Sequence, residues 1–194
     1  MSTVTAQTYL TPIEYLNWER KAVTKHEYLD GEIVAMSGAS NAHNIITMNT
    51  SYQLYDQLLD RDCFVYASDM RVRVQAPVSY FYPDITVVCG EPRFEDDVFD
   101  TLLNPTVVIE VLSPSTAAYD RREKFTRYQQ IASLKEYILI SQNRIHLEHH
   151  LRQEKQENQW SATEFQKLED VVPVTSIECE LLLGHVYRRV TFSD

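Results

Sequence analysis

The stretch that decides the fold is YPDITVV at residues 82–88, followed by VIEVL at residues 108–112. Both are short, rich in β-branched residues and almost continuously apolar, which is typical of central strands covered on both faces of a sheet. An ionised carboxylate in such a strand is costly unless another charge compensates it. We therefore predict that Asp84 and Glu110 share a hard cation, Mg²⁺ with Mn²⁺ as a substitute, because such ions prefer oxygen ligands. The alternative is that both acids cap loops or pair with arginines.

Upstream of this stretch, the sequence predicts a helix and a hairpin. Thr11, Pro12 and Glu14 match a helix N-terminus, because threonine caps the first amides, proline fits the first helical position and glutamate completes a capping box. The DG pair at residues 30–31 suits the positive φ angles of a tight turn, and it therefore predicts a β-hairpin.

A longer helix is predicted from about residue 42 to residue 60. Its apolar side chains recur at alternating steps of three and four residues, which places them on one helical face. We expect this face to cover the central sheet. Its members are Ile45, Met48, Tyr52, Tyr55 and Leu59.

The downstream half predicts further strands around one more helix. Residues 70–75 alternate apolar side chains with Arg71 and Arg73, which predicts a half-buried strand in antiparallel pairing. Asp120 can cap a helix that runs to about Ile131, and residues 137–141 form another predicted strand.

The C-terminal part predicts a β-hairpin, with a polar turn at residues 153–159 and a second strand that contains Trp160. No repeat or Pro/Gly-rich linker interrupts the chain, so we expect one domain over residues 1–194. The order of elements predicts an α/β (α+β) fold, in which a mixed central sheet is flanked by helices.

Composition limits the classes of partner. The chain has 28 Asp and Glu against 18 Lys and Arg, a net charge of -10, which argues against a basic surface that grips nucleic acid nonspecifically. Contacts with phosphates must therefore be local or assisted by a metal. No run approaches the ~20 apolar residues of a membrane span, and the N-terminus lacks an export signal. We expect no membrane partner and a cytoplasmic protein.

The cysteines support the same expectation of a cytoplasmic protein. Cys63, Cys89 and Cys179 are odd in number and widely separated, without the paired spacing of a zinc site or a disulfide framework. We expect all of them to be reduced thiols.

Several segments together resemble the PD-(D/E)XK nuclease superfamily, specifically its branch of putative restriction endonucleases that is expanded in cyanobacteria. The resemblance covers most of the chain. Its segments are YLDGE at 28–32, SGASNAH at 37–43, YPD at 82–84, EVLSPST at 110–116, Asp120 with Lys124, and KEY at 135–137. The resemblance implies a restriction-endonuclease-like core and a metal-dependent endonuclease that hydrolyses phosphodiester bonds of DNA with a metal-activated water. It also makes a homodimer possible.

The same resemblance assigns site residues. It implies that Asp84, Glu110 and the carbonyl of Val111 hold the metal, with Glu32 as an additional ligand or water-positioning acid. The superfamily's lysine usually stands two residues after the second acid, where this chain has leucine, and the resembled branch implies Lys124 in its place. The alternatives are a plain hairpin residue for Glu32 and a solvated helix residue, paired with Asp120, for Lys124.

Other basic residues are candidates for contact with phosphates, or equally for surface ion pairs. They are Arg71, Arg73, Arg121, Arg122 and Arg127. His43 matches a histidine of relatives, but we expect it to cap an amide or to pack rather than to bind metal. Two other function classes stay open. One is a catalytically weak or inactive nuclease fold that binds nucleic acid or a protein, and the other is a structural subunit that meets a basic partner through the acidic loop at residues 91–100.

Overall fold

The protein has a mixed α+β architecture in a computed structural model that describes residues 9–153 and 159–192. The helices are α1 (Pro12–Glu19), α2 (Asn41–Leu58), α3 (Ala117–Tyr119), α4 (Phe125–Tyr128) and α5 (Leu183–Val186). The strands are β1 (His26–Leu29), β2 (Glu32–Ala35), β3 (Cys63–Ala67), β4 (Arg71–Gln75), β5 (Val78–Phe81), β6 (Ile85–Cys89), β7 (Thr101–Leu102), β8 (Val107–Leu112), β9 (Glu136–Ser141), β10 (Leu147–Arg152), β11 (Trp160–Phe165), β12 (Val171–Val174) and β13 (Cys179–Leu182). The predicted fold class is therefore confirmed.

The strands form a large mixed sheet and two smaller ones. The large sheet has six strands in the order β11-β10-β9-β8-β6-β3, and only its β8–β9 pair is parallel. A five-stranded sheet has the order β2-β1-β5-β4-β7, and β12 pairs with β13 in a two-stranded sheet. The large sheet and its neighbour are linked through the short connection from β5 to β6, where Asp84 lies.

The core lies on both faces of the six-stranded sheet. Every residue of β8 is buried, as the continuous apolar run predicts. On one face, Ile46 and Leu54 of α2 pack in a cluster with Ile109 of β8, while on the other face Tyr128 of α4 packs in a cluster with Val108. The carboxylate of Glu110 therefore lies in a strand that is closed to solvent on both sides.

The local predictions near the N-terminus are confirmed. Thr11 and Glu14 form a capping box at the start of α1. The hairpin β1–β2 turns through Asp30 and Gly31, whose φ angles are 51° and 103°. The C-terminal hairpin β10–β11 is also present, although the middle of its predicted turn, at 154–158, lies outside the described residues, as do residues 1–8.

The predicted orientation of the long helix is wrong. Helix α2 turns Ile46, Leu54 and Leu58 toward the core, whereas Met48, Tyr52, Tyr55 and Leu59 of the predicted inner face are exposed. The inner face also carries polar side chains, and some of them bond to the C-terminal segment. Gln53, for example, accepts a hydrogen bond from the amide of Leu182 at 2.9 Å.

Two further predictions need correction. The helix after β8 begins at Ala117 rather than at Asp120, so Asp120 does not cap it and is instead buried inside a π-helical turn. Cys63 and Cys89 form a disulfide rather than free thiols, because the pairing of β3 with β6 places them directly opposite each other. Cys179 is free and buried. Within the described residues, no helix combines the length and apolarity that a bilayer crossing requires.

Candidate active site

The centre of the candidate site is the ammonium group of Lys124, which is only 5% exposed. Its Nζ atom lies 2.9 Å from Oε1 of Glu27 in β1 and 2.9 Å from Oε1 of Glu110 in β8. Asp120 is more distant, with Oδ1 at 3.9 Å. A buried lysine requires such partners, because an unpaired ammonium would lose its hydration without compensation. Lys124 thus joins a strand from each of the two larger sheets.

Asp84 lies beside this group, immediately before β6. Its Oδ2 accepts a hydrogen bond from the amide of Val111 at 2.7 Å, and its Oδ1 lies 2.8 Å from Nε2 of His43. Strands β6 and β8 are hydrogen-bonded neighbours, so the residue that precedes β6 meets the residue that follows Glu110. The structure therefore brings Asp84 to the strand of Glu110.

The π-helical turn at Asp120–Lys124 orients the lysine. Such turns insert one extra residue into a helix and occur frequently at functional sites. Here the turn buries both Asp120 and Lys124 while Arg122 and Glu123 stay exposed. The spacing of four residues predicts Lys124 one turn after Asp120, but the π-helical hydrogen bonding leaves no recognisable signal in the residue types.

The electrostatics of the site are dominated by carboxylates. Burial raises the pKa of Glu110, and the neighbouring charges of Asp120, Asp84 and Glu27 raise it further, while Lys124 opposes them. Burial alone would lower the pKa of Lys124, but Glu110 and Glu27 more than offset that effect and raise it. Lys124 is therefore a stable cation, and one positive charge faces four acids.

An aromatic shell encloses the lysine and Glu110. The ring of Phe81 lies 5.3 Å from Lys124 Nζ, and the hydroxyl of Tyr128 donates a hydrogen bond to Oε1 of Glu110 at 3.1 Å. Burial, followed by the charge of Glu110, raises the pKa of Tyr128, so its hydroxyl stays protonated and available as a donor. This shell lowers the local polarity and strengthens the charge interactions inside it.

The donor set fits a hard dication in its chemistry. Asp84 and Glu110 offer carboxylate oxygens, and Mg²⁺ needs only one or two protein carboxylates because it retains several waters. The acids around Lys124 outnumber its single ammonium group, and this excess of acidic groups favours the binding of a divalent cation. In residues 9–153 and 159–192, however, no group of three or more His, Cys, Asp or Glu side chains is arranged to hold a metal. The fit therefore rests on two protein carboxylates, with water completing the shell.

Glu32 and Val111 are the two remaining predicted ligands. Glu32 does not reach the lysine, and its Oε1 instead accepts a hydrogen bond from the hydroxyl of Tyr9 at 3.3 Å. It lies opposite Leu29, two positions nearer the turn than Glu27. The amide of Val111 binds Asp84, and a metal bond to its carbonyl stays a prediction.

Three of the five arginines predicted to contact phosphate are held by other groups of the protein. Arg71 is 3% exposed and is held by Asp100, Thr101 and Tyr82, so we no longer expect it to contact phosphate. Arg73 pairs with Glu95 at 2.6 Å, and Arg121 pairs with Glu148 at 2.6 Å. 

Two of the predicted arginines stay available. The guanidinium of Arg127 donates a hydrogen bond to Ser79 Oγ at 2.6 Å and has no ion pair within the described part of the chain. Arg122 is exposed, again without an ion pair to any described residue. Both flank Lys124 in sequence.

Two members of the site were not predicted from the sequence. Glu27 was overlooked because a single acid in a short strand carries no distinctive spacing. Its position two residues before Leu29 does place the two side chains on the same face of the hairpin. His43 was assigned to capping or packing, yet its ring binds Asp84. The pairing of distant strands brings Glu27 to Lys124, and the position of α2 against the sheet brings His43 to Asp84.

Comparison with known proteins identifies the family. The family model of Uma2, described as putative restriction endonuclease, matches residues 12–183. Two uncharacterized proteins of Synechocystis sp., sll1609 and slr1290, are 40% and 34% identical over 164 and 183 residues, which cover 84% and 94% of this chain and 92% and 94% of those proteins. The crystal structure of a putative nuclease belonging to DUF820 from Anabaena variabilis superposes with a TM-score of 0.74 at 16% identity, covers 94% of this chain and 99% of that one, and so shares the fold. The chain therefore belongs to the Uma2 family of putative restriction endonucleases.

Proposed function

We propose that the protein is a metal-dependent endonuclease that hydrolyses phosphodiester bonds of DNA. The observation that carries this proposal is the buried ammonium of Lys124, shared by Glu27 and Glu110 at 2.9 Å each with Asp84 alongside. A purely structural ion pair needs one acid for one lysine. Several acids around one buried lysine instead resemble the arrangement expected where a cation and a phosphate are to be bound.

The roles follow from position. Asp84 and Glu110 would hold Mg²⁺, with Mn²⁺ as a substitute, and the carbonyl of Val111 is a further candidate ligand. When bound, the dication supplies a Lewis acid that lowers the pKa of a coordinated water. Lys124 would orient that water or offset charge on the phosphate, and Glu27 would keep the ammonium in place.

Contacts with DNA must be local, since the net charge is -10. Arg122 and Arg127 are the remaining candidates among the predicted arginines, because they flank Lys124 and have no ion pair within the described part of the chain. Each such arginine would position the phosphate backbone and would not read the base sequence.

The test is conversion of supercoiled plasmid by purified protein in Mg²⁺ and in Mn²⁺, with a chelator as the negative control. We expect nicked or linear products with metal only. Asp84→Asn should abolish the activity, because it removes a carboxylate charge while keeping the side-chain shape, and a thermal melt should show that this variant is folded. Activity that survives in Asp84→Asn would indicate a contaminant or a different site.

The second candidate is a nuclease fold that binds nucleic acid or a protein with weak or no catalysis. It is favoured by the net charge and by the absence, within the described residues, of a side-chain group of three or more arranged for metal. Under this alternative, the melting temperature should not respond to millimolar Mg²⁺ or Mn²⁺. Under the endonuclease proposal the metal should raise it, because a cation that binds only the folded state stabilises that state.

A further inference from the structure

Helix α2 carries a continuous exposed apolar stripe, which we call the α2 seam. Its four members, Met48, Tyr52, Tyr55 and Leu59, are exposed by 69%, 65%, 59% and 58%. They recur at steps of four, three and four residues, the spacing of a seam between two packed helices. Large apolar side chains that are exposed singly need no explanation, but a contiguous set marks an interaction surface.

We propose that the α2 seam is the interface of a homodimer, in which α2 of one copy packs antiparallel on α2 of a second copy. The seam is complementary to itself. A two-fold axis between residues 53 and 54 places Met48 opposite Leu59 of the second copy, and Tyr52 opposite Tyr55 of the second copy. Each seam member therefore meets another seam member, as an interface between identical surfaces requires.

The charge distribution also favours a second copy as the occupant. A protein with a net charge of -10 repels its own copies, and this repulsion is smallest where they meet through an uncharged surface. From Asn41 to Tyr55 the helix contains no Asp, Glu, Lys or Arg. In the antiparallel arrangement, Asp56 and Asp60 fall opposite hydroxyl side chains of the second copy, Ser51 and Thr47, so like charges do not meet.

The absence of basic residues from this stretch also disfavours nucleic acid as the occupant, because nothing on the stripe could neutralise phosphates. A second copy offers instead the same apolar seam and the same neutral flanks.

The exposed area of the α2 seam is large enough to form the centre of a dimer interface. Counting about 200 Å² per aromatic side chain, the two tyrosines alone offer roughly 250 Å² of exposed surface. Met48 and Leu59 extend this patch along a helix of 18 residues, or roughly 27 Å. A stable dimer buries about 800 Å² per copy, with an apolar centre and a polar rim. The α2 seam would form the centre, and flanking side chains such as Asn44 and Ser51 would form the rim.

The first test is sedimentation velocity of the full chain at micromolar concentration. We expect a dimer for the natural sequence and a shift to monomer for Tyr52→Glu, with association weakened to a Kd on the order of 100-fold higher. The matched control is Ile13→Glu, which places the same charge at an exposed apolar position on helix α1, 73% exposed, and should leave the dimer intact. Circular dichroism should show that both variants are folded.

The second test reads the orientation by disulfide cross-linking. Met48→Cys combined with Leu59→Cys should cross-link two copies, whereas Met48→Cys alone should not, because antiparallel helices hold the two 48 positions roughly 16 Å apart along the axis. A natural sequence that is monomeric at micromolar concentration would overturn the proposal. A dimer that survives Tyr52→Glu, that is lost equally in Ile13→Glu, or that cross-links through Met48→Cys alone would also overturn it.

Discussion

At the scale of the residue, one ammonium group organises the candidate site. Lys124 meets Glu27, Glu110 and Asp120, which come from a hairpin, a central strand and its own helix. The sequence indicated Glu110 and Lys124 but favoured Glu32 as the early acid. Cross-strand pairing puts Glu27 and Glu32 on the same face of the hairpin. Which of the two acids contacts Lys124 therefore depends on where the helical turn of Lys124 packs along the hairpin, and that turn lies far downstream in the sequence.

A second residue, Asp100, gives a prediction about pH. Burial alone would raise its pKa, but hydrogen bonds from Arg20 and Arg71 lower it well below the usual range. A lowered pKa in the folded state contributes stability that is present above the unfolded pKa of about 3.9 and is lost as the pH falls below it. Asp100→Asn should therefore cost about 1–2 kcal/mol at pH 7, after discounting for partial exposure.

Urea denaturation of both proteins across the acid range checks this prediction. The difference in the free energy of unfolding should shrink as the pH falls through the range in which the carboxyl group protonates. A difference that stays constant down to strongly acidic pH would contradict the assigned role of the two arginines.

At the scale of the element, helix α2 shows what periodicity leaves undecided. Its sequence carries two overlapping stripes, and the stronger one by residue type contains Tyr52 and Tyr55. The structure instead buries Ile46, Leu54 and Leu58, on a face where the C-terminal segment hydrogen-bonds polar side chains such as Gln53. Helix existence and length were predictable from local spacing, whereas the buried face depends on partners distant in the sequence.

The two faces of α2 should respond differently to truncation. Leu54→Ala removes a fully buried side chain and leaves a cavity, so we expect a loss of about 2–5 kcal/mol in the free energy of unfolding. Tyr55→Ala, one position away, removes an exposed ring and should change that free energy by about 0.5 kcal/mol or less. Denaturation at low protein concentration, where any dimer has dissociated, measures both. Equal losses would mean that the helix is oriented as its residue types suggest.

At the scale of the whole molecule, the sequence predicted the fold class and the main strands, but not how the strands divide among sheets. The apolar runs around Asp84 and Glu110 predicted buried strands, and β6 and β8 are buried neighbours. The separate two-stranded sheet and the link between Cys63 and Cys89 were not predictable, because the cysteines are 26 residues apart and only the β3–β6 register brings them together.

This link gives a prediction for the folded chain. Intact mass under non-reducing conditions should be lower by two hydrogen atoms than after reduction, and peptide mapping should join the segments that contain Cys63 and Cys89. Cys63→Ser should cost about 2–4 kcal/mol against the oxidised protein, because the cross-link restricts the unfolded chain. A fully reduced native protein, or a bond that involves Cys179, would contradict the disulfide between Cys63 and Cys89.

The most direct measurement of the central claim is the rate of metal-dependent plasmid nicking in a matched pair of variants on the same hairpin. Glu27→Gln removes a charge from the group around Lys124 and should slow the reaction by about 100-fold or more. Glu32→Gln makes the same chemical change at the position bonded to Tyr9 and should leave the rate unchanged. Full activity in Glu27→Gln, or an equal loss in both variants, would contradict a hydrolytic centre built on Glu27, Asp84, Glu110 and Lys124.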